Sequence, residues 1–315
     1  MTTVTILDDY QNVALHCANW SPLQGRADVS TITEHIADVD GLVAALASSE
    51  IVVAMRERTP FDAATLARLP RLKLLVTTGM RNASIDVDAA HDHGITVCGT
   101  EGGGSAVPEL TMGMIIALTR HFADEDAAVR AGGWQHTIGP SLSGKTLGVL
   151  GLGRLGVPVA RLAQAFGMSV IAWSPNLNAE RASEHGARAV SKQELFELSD
   201  IVTIHMPLSQ RSTAIVGENE LRWLGASGYL VNTSRGPIVD EAALVDALNR
   251  GTIAGAGLDV YDQEPLPVDH PLRTARNTLL LPHIGYVTTD TYERFFTQVV
   301  EDIVAYVDGA PVRTL

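Results

Sequence analysis

The hexapeptide Gly-Leu-Gly-Arg-Leu-Gly at residues 151–156 places the strongest constraint on the fold of this chain. It follows an apolar, strand-like stretch at 146–150 and precedes a stretch of helical spacing at 157–166. In such a unit the first glycine permits a tight turn, the second lets a ligand approach the backbone, and the third lets the helix pack closely on the strand. Free N–H groups at the start of the helix favour a phosphate. The pattern therefore predicts a dinucleotide-binding unit.

Similar alternation of strand-like and helical stretches runs along most of the chain. Before residue 99 the strand candidates are at 4–7, 51–54, 72–76 and 95–97. After residue 145 they are at 146–150, 169–173, 201–205, 229–232, 254–258 and 278–281. They are apolar on both faces, which is typical of parallel strands covered by helices. We therefore expect two α/β units with parallel sheets, joined by a glycine-rich hinge at 99–105. One long apolar helix is predicted at 106–122 and an amphipathic helix at 288–307.

Composition excludes several classes of partner. The 315 residues include 23 Lys or Arg and 36 Asp or Glu, which gives a formal net charge of −13. Since clustered Lys and Arg bind phosphate backbones, we expect no nucleic-acid partner. No apolar run reaches the roughly 18 residues of a membrane span, and the N-terminus lacks a secretory pattern, so a cytoplasmic protein without a membrane partner is expected. With only Cys17 and Cys98, neither a disulfide framework nor a metal site is expected.

Three polar residues each follow a predicted strand and stand beside turn-forming residues. They are Arg235 in Asn-Thr-Ser-Arg-Gly, Glu264 in Asp-Gln-Glu-Pro, and His283 in Pro-His-Ile-Gly. Open α/β sheets bind ligands at the carboxyl ends of their strands. A cation, a carboxylate and an imidazole together can reduce a carbonyl group: Arg polarises the oxygen, His delivers a proton, and Glu orients the His and favours its charged form. These three residues are the predicted catalytic set.

Four segments in a fixed order carry a family resemblance. They are residues 149–156, 230–241, 255–260 with Glu264-Pro265, and 282–285. In this order they resemble the NAD(P)-dependent D-isomer-specific 2-hydroxyacid dehydrogenases. The likeness is strong from about residue 72 onward and rests on pattern alone before that. The resemblance implies hydride transfer between NAD(P)H and a 2-oxoacid to give a D-2-hydroxyacid.

The resemblance also implies residue roles. Arg235 would bind the carboxylate and carbonyl of the substrate, His283 would be the general acid in reduction, and Glu264 its partner. The substrate carboxylate would be held by the backbone of a loop containing Thr78, Gly79 and Met80. The implied cofactor contacts are Thr111, Gly151, Gly153, Arg154, Leu155, Gly156, Ser174, His205, Met206, Pro207, Thr213, Thr233, Asp259 and Gly285.

By the same resemblance the chain forms two Rossmann-like or flavodoxin-like domains, with the cofactor domain inserted in a discontinuous substrate domain. Residues 1–98 plus 288–315 would form the substrate domain and 99–287 the dinucleotide-binding domain. The active site would lie in the cleft between them. The helix predicted at 106–122 would be largely buried and would help to form a homodimer.

Some alternatives stay open from the sequence. The second strand of the cofactor unit ends Trp-Ser-Pro-Asn, without the acidic residue that usually holds the ribose of NAD. NAD or NADP is therefore possible, with a slight preference for NADP. Arg81 adds charge to the pocket or points to solvent, and Trp134 closes the pocket or only packs. A cofactor-sensing regulatory protein of the same fold, or an enzyme acting on phosphite or formate, are the other candidate functions.

Overall fold

A computed structural model describes residues 1–102 and 106–315. The chain divides into two compact units. The first contains Met1–Gly104 and Val287–Leu315, and the second contains Ser105–Tyr286. The last three residues of the hinge predicted at 99–105 lie outside the described residues.

Strands and helices alternate through both units. The strands are β1 Thr2–Ile6, β2 Ala27–Thr31, β3 Ile51–Ala54, β4 Leu74–Thr77, β5 Thr96–Gly99, β6 Thr146–Leu150, β7 Ser169–Trp173, β8 Arg188–Ala189, β9 Ile201–Ile204, β10 Tyr229–Asn232, β11 Gly255–Leu258 and β12 Thr278–Leu280. The helices are α1 Val39–Leu46, α2 Ala63–Leu66, α3 Val87–Asp92, α4 Ala106–Thr119, α5 Phe122–Arg130, α6 Gly156–Ala165, α7 Ala179–Ser183, α8 Lys192–Glu197, α9 Glu218–Leu224, α10 Glu241–Arg250 and α11 Thr289–Val307.

Each unit contains one sheet, and every strand pairing in both sheets is parallel. In the first unit the strand order is β2-β1-β3-β4-β5, which is the flavodoxin-like order. In the second it is β12-β11-β10-β9-β6-β7-β8, the Rossmann order with one further strand. The prediction of two parallel α/β domains is confirmed. Ligands of such sheets bind where the strand order reverses, which is between β6 and β9 in the second unit.

The apolar strands form because both of their faces are covered. All four residues of β3 and of β4 are buried, as are those of β9. Polar side chains then fix where helices begin: Asp38, Asp62 and Asp86 each accept a hydrogen bond from the backbone three residues later.

Two sequence-based assignments are wrong or incomplete. The helix predicted at 106–122 ends at Thr119, because His121 adopts the left-handed conformation (φ 53°) and a second helix, α5, starts at Phe122. Only half of the α4 side chains are buried. The sequence analysis also missed two edge strands: β2, in which exposed polar residues alternate with less exposed ones, and β8, which has only two residues. Among the described residues, no helix has the length and apolarity needed to cross a membrane.

Helix α11 brings a buried carboxylate into the first unit. Asp302 is fully buried, and its Oδ1 accepts a hydrogen bond from Nε of Arg313 at 3.0 Å. Its Oδ2 has no hydrogen-bond partner within the described part of the chain. Burial raises the pKa of Asp302 to about 7, although Arg313 opposes the rise.

This raised pKa predicts how stability depends on pH. Because the folded-state pKa exceeds the usual 3.8, ionisation costs free energy in the fold, and stability falls as pH rises from about 4 to about 7. The substitution Asp302→Asn removes that ionisation. From pH 5 to pH 8 we expect the free energy of unfolding of the variant to gain on the order of 2 kcal/mol relative to wild type. Denaturant unfolding at both pH values measures the gain, and an equal difference at both would contradict the raised pKa.

Candidate active site

The glycine loop between β6 and α6 is shaped by close backbone contacts. Gly151 has φ 106°, and a Cβ atom there would lie 2.7 Å from the carbonyl oxygen of His205. A Cβ atom on Gly156 would lie 2.1 Å from the carbonyl oxygen of Gly151. Both positions therefore require glycine. Around Gly153, by contrast, no atom lies within 4 Å of a Cβ position, so the backbone is open to a ligand.

Donors for a phosphate are present at the same loop. Among the described residues, the backbone N–H groups of Arg154 and Leu155 have no hydrogen-bond partner. They stand at the start of a ten-residue helix, whose dipole is positive at that end. The open backbone at Gly153 and these donors fit the pyrophosphate of a dinucleotide. Ser174, at the end of β7, accepts a hydrogen bond from the N–H of Leu152 at 3.1 Å and so borders the loop.

The segment after β9 forms another side of this region. A Cβ atom on Gly151 would also lie 2.9 Å from Cγ of Met206, so Met206 contacts the loop. His205 is buried, with Nε2 3.0 Å from Oγ1 of Thr203. Burial lowers the pKa of His205 to about 4, which keeps the ring neutral near pH 7. Pro207 and Thr213 belong to the following turn, in which the hydroxyl of Thr213 donates to Ser209 O at 2.9 Å.

Arg235 lies in a turn after β10 that Asn232 organises. The amide of Asn232 donates to the carbonyl oxygen of Arg235 at 2.9 Å, and its oxygen accepts from the N–H of Ser234 at 3.0 Å. Nη1 of Arg235 donates to the carbonyl oxygen of Ser234 at 2.7 Å. Gly236 follows, and a Cβ atom there would lie 2.0 Å from the backbone carbon of Tyr261. The turn thereby sits directly against the segment after β11.

Glu264 and His283 form the closest acid–imidazole pair at this sheet edge. Oε2 of Glu264 lies 2.5 Å from Nδ1 of His283, and Oε1 accepts from the N–H of Tyr261 at 2.9 Å. Both side chains are partly exposed, 29% for Glu264 and 19% for His283. With Nδ1 directed to the carboxylate, Nε2 is the ring nitrogen that remains for a substrate. It has no hydrogen-bond partner among the residues that the structure describes.

The backbone at His283 is held in an unusual conformation. Its φ is 54°, in the left-handed region that non-glycine residues rarely adopt. The buried carboxylate of Asp259 accepts hydrogen bonds from the next two N–H groups, those of Ile284 and Gly285, both at 2.8 Å. Burial raises the pKa of Asp259, and these two hydrogen bonds oppose the rise. The ring of Tyr286 packs edge-to-face on His283 at 5.7 Å. Asp259 and Tyr286 thus fix the backbone and the ring of His283.

Thr111 and Thr233 meet in the same unit. Their Oγ1 atoms are 3.0 Å apart and buried, and Thr111 also donates to Val107 O. The pair ties α4 to the segment after β10, which carries Arg235. Four of the implied cofactor contacts therefore lie at the carboxyl ends of β10 to β12 or pack against those ends: Thr111, Thr233, Asp259 and Gly285.

In the first unit the loop after β4 is already hydrogen-bonded. The N–H of Thr78 donates to Ala54 O at 3.0 Å, and that of Gly79 donates to Oγ1 of Thr100 at 2.9 Å. Nη1 of Arg56 donates to the carbonyl oxygen of Thr78 at 3.0 Å. The N–H groups of Met80 and Arg81 have no partner among the described residues, and both side chains are exposed. Met80 and Arg81 thus present the available donors of this loop.

Sequence reasoning missed three residues at these loops. Asn232 lies within a quoted motif, and an Asn two residues before Ser in a turn is a recognisable signal. Tyr286 and Thr100 carry no local signal, because their contacts depend on the tertiary fold. Trp134 is 75% exposed, and no hydrogen bond or ring contact involves it among the described residues. In the described part of the chain, no group of three or more His, Cys, Asp or Glu could hold a metal ion.

Comparison with known proteins identifies the family. Residues 112–285 match the sequence profile described as "D-isomer specific 2-hydroxyacid dehydrogenase, NAD binding domain". The chain is 39% identical over 258 residues to a glyoxylate reductase of Aeropyrum pernix, covering 79% of this chain and 77% of the relative. It is 36% identical over 248 residues to a D-3-phosphoglycerate dehydrogenase of Bacillus subtilis, covering 78% of this chain and 47% of the relative.

A solved structure gives the same result. The phosphoglycerate oxidoreductase of Vibrio cholerae superposes with a TM-score of 0.93 at 35% identity, covering 98% of this chain and 100% of that one. The sequence profile, the identities and this superposition agree with the glycine loop and the parallel topology. The chain therefore belongs to the D-isomer-specific 2-hydroxyacid dehydrogenase family, and its second unit contains the NAD-binding domain of that family.

Proposed function

We propose that this protein reduces a 2-oxoacid to the corresponding D-2-hydroxyacid, with Arg235, Glu264 and His283 as the catalytic residues. The observation that carries the proposal is the 2.5 Å contact between Glu264 and Nδ1 of His283. It leaves Nε2 as the proton-carrying nitrogen that faces away from the carboxylate. A protein that only binds the cofactor has no need of such a pair.

The residues divide the work of carbonyl reduction. When bound, the nicotinamide cofactor supplies the hydride to the carbonyl carbon. Arg235 binds the substrate carboxylate and the carbonyl oxygen with its planar fork, which polarises the C=O bond. His283 donates the Nε2 proton to the oxygen as negative charge develops there, and becomes neutral. Glu264 holds the Nδ1 proton and stabilises the charged imidazole before that transfer.

The first unit, with Thr78, Gly79 and Met80, is proposed as the substrate-binding domain. The N–H groups of Met80 and Arg81 have no partner among the described residues, so a carboxylate can bind to them without displacing one. The N–H of Gly79 already binds Thr100, so Gly79 contributes mainly to loop shape. The relatives named glyoxylate reductase support a small 2-oxoacid as the substrate.

The cofactor loop is proposed to accept NADH and NADPH. The second strand of the unit, β7, leads into Ser174, which provides a hydroxyl where many NAD sites have a carboxylate. A carboxylate there would repel the 2′-phosphate of NADPH, and residues 174–178 contain none. Cofactor contacts are assigned to Gly151, Gly153, Arg154, Leu155 and Gly156 for the pyrophosphate. Thr111, Ser174, His205, Met206, Pro207, Thr213, Thr233, Asp259 and Gly285 are assigned to the remainder of the cofactor.

The substitution His283→Gln tests the proposed reaction. Glyoxylate, hydroxypyruvate, pyruvate and bulkier 2-oxoacids are screened with NADH and NADPH in parallel by loss of absorbance. For the best substrate we expect kcat to fall by roughly 10²–10⁴-fold in the variant, because the proton donor is lost. The NADH dissociation constant, measured by fluorescence, should stay within twofold. A less than fivefold loss would remove His283 from the mechanism, and NADH binding without turnover of any oxoacid by wild type would indicate a regulatory protein.

The substitution Glu264→Gln tests the contact between the carboxylate and the imidazole. Gln keeps an acceptor for Nδ1 but removes the negative charge from the 2.5 Å contact. Because the equilibrium constant links the two directions, we expect kcat/KM to fall by a similar factor, roughly tenfold, in reduction and in oxidation, with unchanged NADH affinity. Steady-state kinetics in both directions measure this, and a kcat/KM that stays at the wild-type value in both would contradict the assigned role of Glu264.

A homodimer formed through the second unit is also proposed. Large apolar side chains are exposed on α5 and the segment after it, and include Phe122, Val129, Trp134 and Ile138. A stretch of chain with this many exposed large apolar side chains is typical of an interaction surface, and a two-fold pair would bury it symmetrically. We expect sedimentation at micromolar concentration to give a dimer in wild type and a monomer in Ile138→Lys. Val268→Lys is the control, since Val268 is equally exposed but lies elsewhere in the chain. A monomeric wild type would refute the proposal.

A further inference from the structure

The end of β5 lies between the substrate loop and the segment that follows α11. Three consecutive backbone N–H groups donate in turn to the C-terminal segment, to the start of the substrate loop and to α11. That of Gly99 donates to Arg313 O at 2.9 Å, and that of Thr100 to Thr77 O at 3.1 Å. That of Glu101 donates to Oε1 of Gln298, on α11, at 2.7 Å. The end of β5 is therefore hydrogen-bonded to both neighbours.

The end of β5 is in close contact with the loop after β4. Thr100 is fully buried, and its hydroxyl accepts the N–H of Gly79. A Cβ atom on Gly99 would lie 2.7 Å from the carbonyl oxygen of Gly79 and 3.2 Å from Cα of Met80. The backbone of β5 thus touches the loop at the residue before its free donors. A shift of β5 by a few tenths of an ångström changes where Met80 presents its N–H group.

On the other side, Arg313 fixes the segment 312–315 to α11. Its guanidinium contacts Oδ1 of Asp302 at 3.0 Å, Oε2 of Glu301 at 2.9 Å and the carbonyl oxygen of Gln298 at 3.0 Å. The backbone of the segment then pairs with β5, since Leu315 N–H donates to Val97 O at 2.9 Å and Thr314 bridges to Cys98. Helix α11, the segment 312–315 and strand β5 are therefore connected by a continuous set of hydrogen bonds.

We propose that Thr100, Gln298 and the Asp302–Arg313 pair are positioning residues for the substrate loop 77–81. They hold the end of β5 in register so that the N–H groups of Met80 and Arg81 stay directed at the substrate carboxylate. This inference rests on the proposed function, because it takes that loop as the site of the carboxylate. None of the four residues touches the reacting atoms, and each acts through the backbone of β5.

A first experiment compares Thr100→Val with Thr100→Ser. Val keeps the shape of Thr but removes the acceptor of the Gly79 N–H, whereas Ser keeps it. We expect Val to raise the KM of the best 2-oxoacid about tenfold, with a kcat change below threefold and unchanged NADH affinity, and Ser to remain close to wild type. A fall in KM for Val would instead show that Thr100 competes with the substrate for Gly79, and would overturn the proposal.

A second experiment removes the ion pair without leaving a buried charge. The double substitution Asp302→Leu/Arg313→Met replaces the pair by apolar side chains of similar size, which such sites often tolerate. We expect faster hydrogen–deuterium exchange in the peptide 77–82, by about tenfold, and a higher oxoacid KM. The control is Arg26→Ala, which removes the exposed ion pair between Arg26 and Asp308, next to the same helix. It should change neither quantity.

The exchange measurement does not depend on activity, and this keeps the two proposals separable. If wild type reduces no 2-oxoacid but the double variant and Thr100→Val accelerate exchange in 77–82, the proposed function fails while the support of the loop stands. If wild type reduces an oxoacid and both variants, folded with near-wild-type melting temperatures, leave exchange and KM unchanged, the positioning proposal is overturned.

Discussion

Parallel pairing of strands is the constraint on which the rest of this structure depends. In a parallel sheet all carboxyl ends meet at one edge, so residues far apart in sequence become neighbours without any long-range signal of their own. The glycine loop after β6, Arg235 after β10, Glu264 after β11 and His283 after β12 are brought to one edge of the seven-stranded sheet in this way. The inner strands must then be buried on both faces, and the apolar composition of β3, β4 and β9 satisfies that requirement.

The part of the site that the sequence could predict is the part fixed by local chemistry. Gly151 needs its φ of 106° to make the turn, and Gly156 packs on the carbonyl oxygen of Gly151 within the same strand–turn–helix unit, so their spacing identifies the loop. Arg235, Glu264 and His283 could be selected because each follows a recognisable strand and its residue type suits carbonyl reduction. Parallel topology then supplied the proximity of Glu264 and His283, which the sequence could only suggest.

The parts that sequence could not predict depend on competing local effects or on tertiary contacts. The stretch 106–122 is mostly apolar, yet the helix breaks at His121. The sequence could not show this, because no glycine or proline marks the break and hydropathy cannot distinguish one helix from two. Strand β2 is at the sheet edge, where one face is polar and the apolar signal is halved. Two tertiary links also could not be predicted: the ion pair of Asp302 with Arg313, and the close approach of Gly99 to the loop after β4. None of these residues carries a signal in its own segment that points to its partner.

Two carboxylates act on His283 and the residues that follow it, and they differ in burial: Asp259 binds the backbone, and Glu264 binds the ring. Asp259 is 1% exposed, and its two oxygens accept hydrogen bonds from the N–H groups of Ile284 and Gly285. These bonds stabilise the left-handed conformation of His283, which would otherwise be strained. Glu264 is partly exposed and uses one oxygen on the N–H of Tyr261, which leaves the other for the imidazole. A buried carboxylate opposite the ring would cost more free energy of desolvation and resist changes of charge. In the proposed reaction, the buried Asp259 would hold the backbone of His283 and the partly solvated Glu264 would assist the proton transfer, so that the charge of the ring could change while its backbone is held in place.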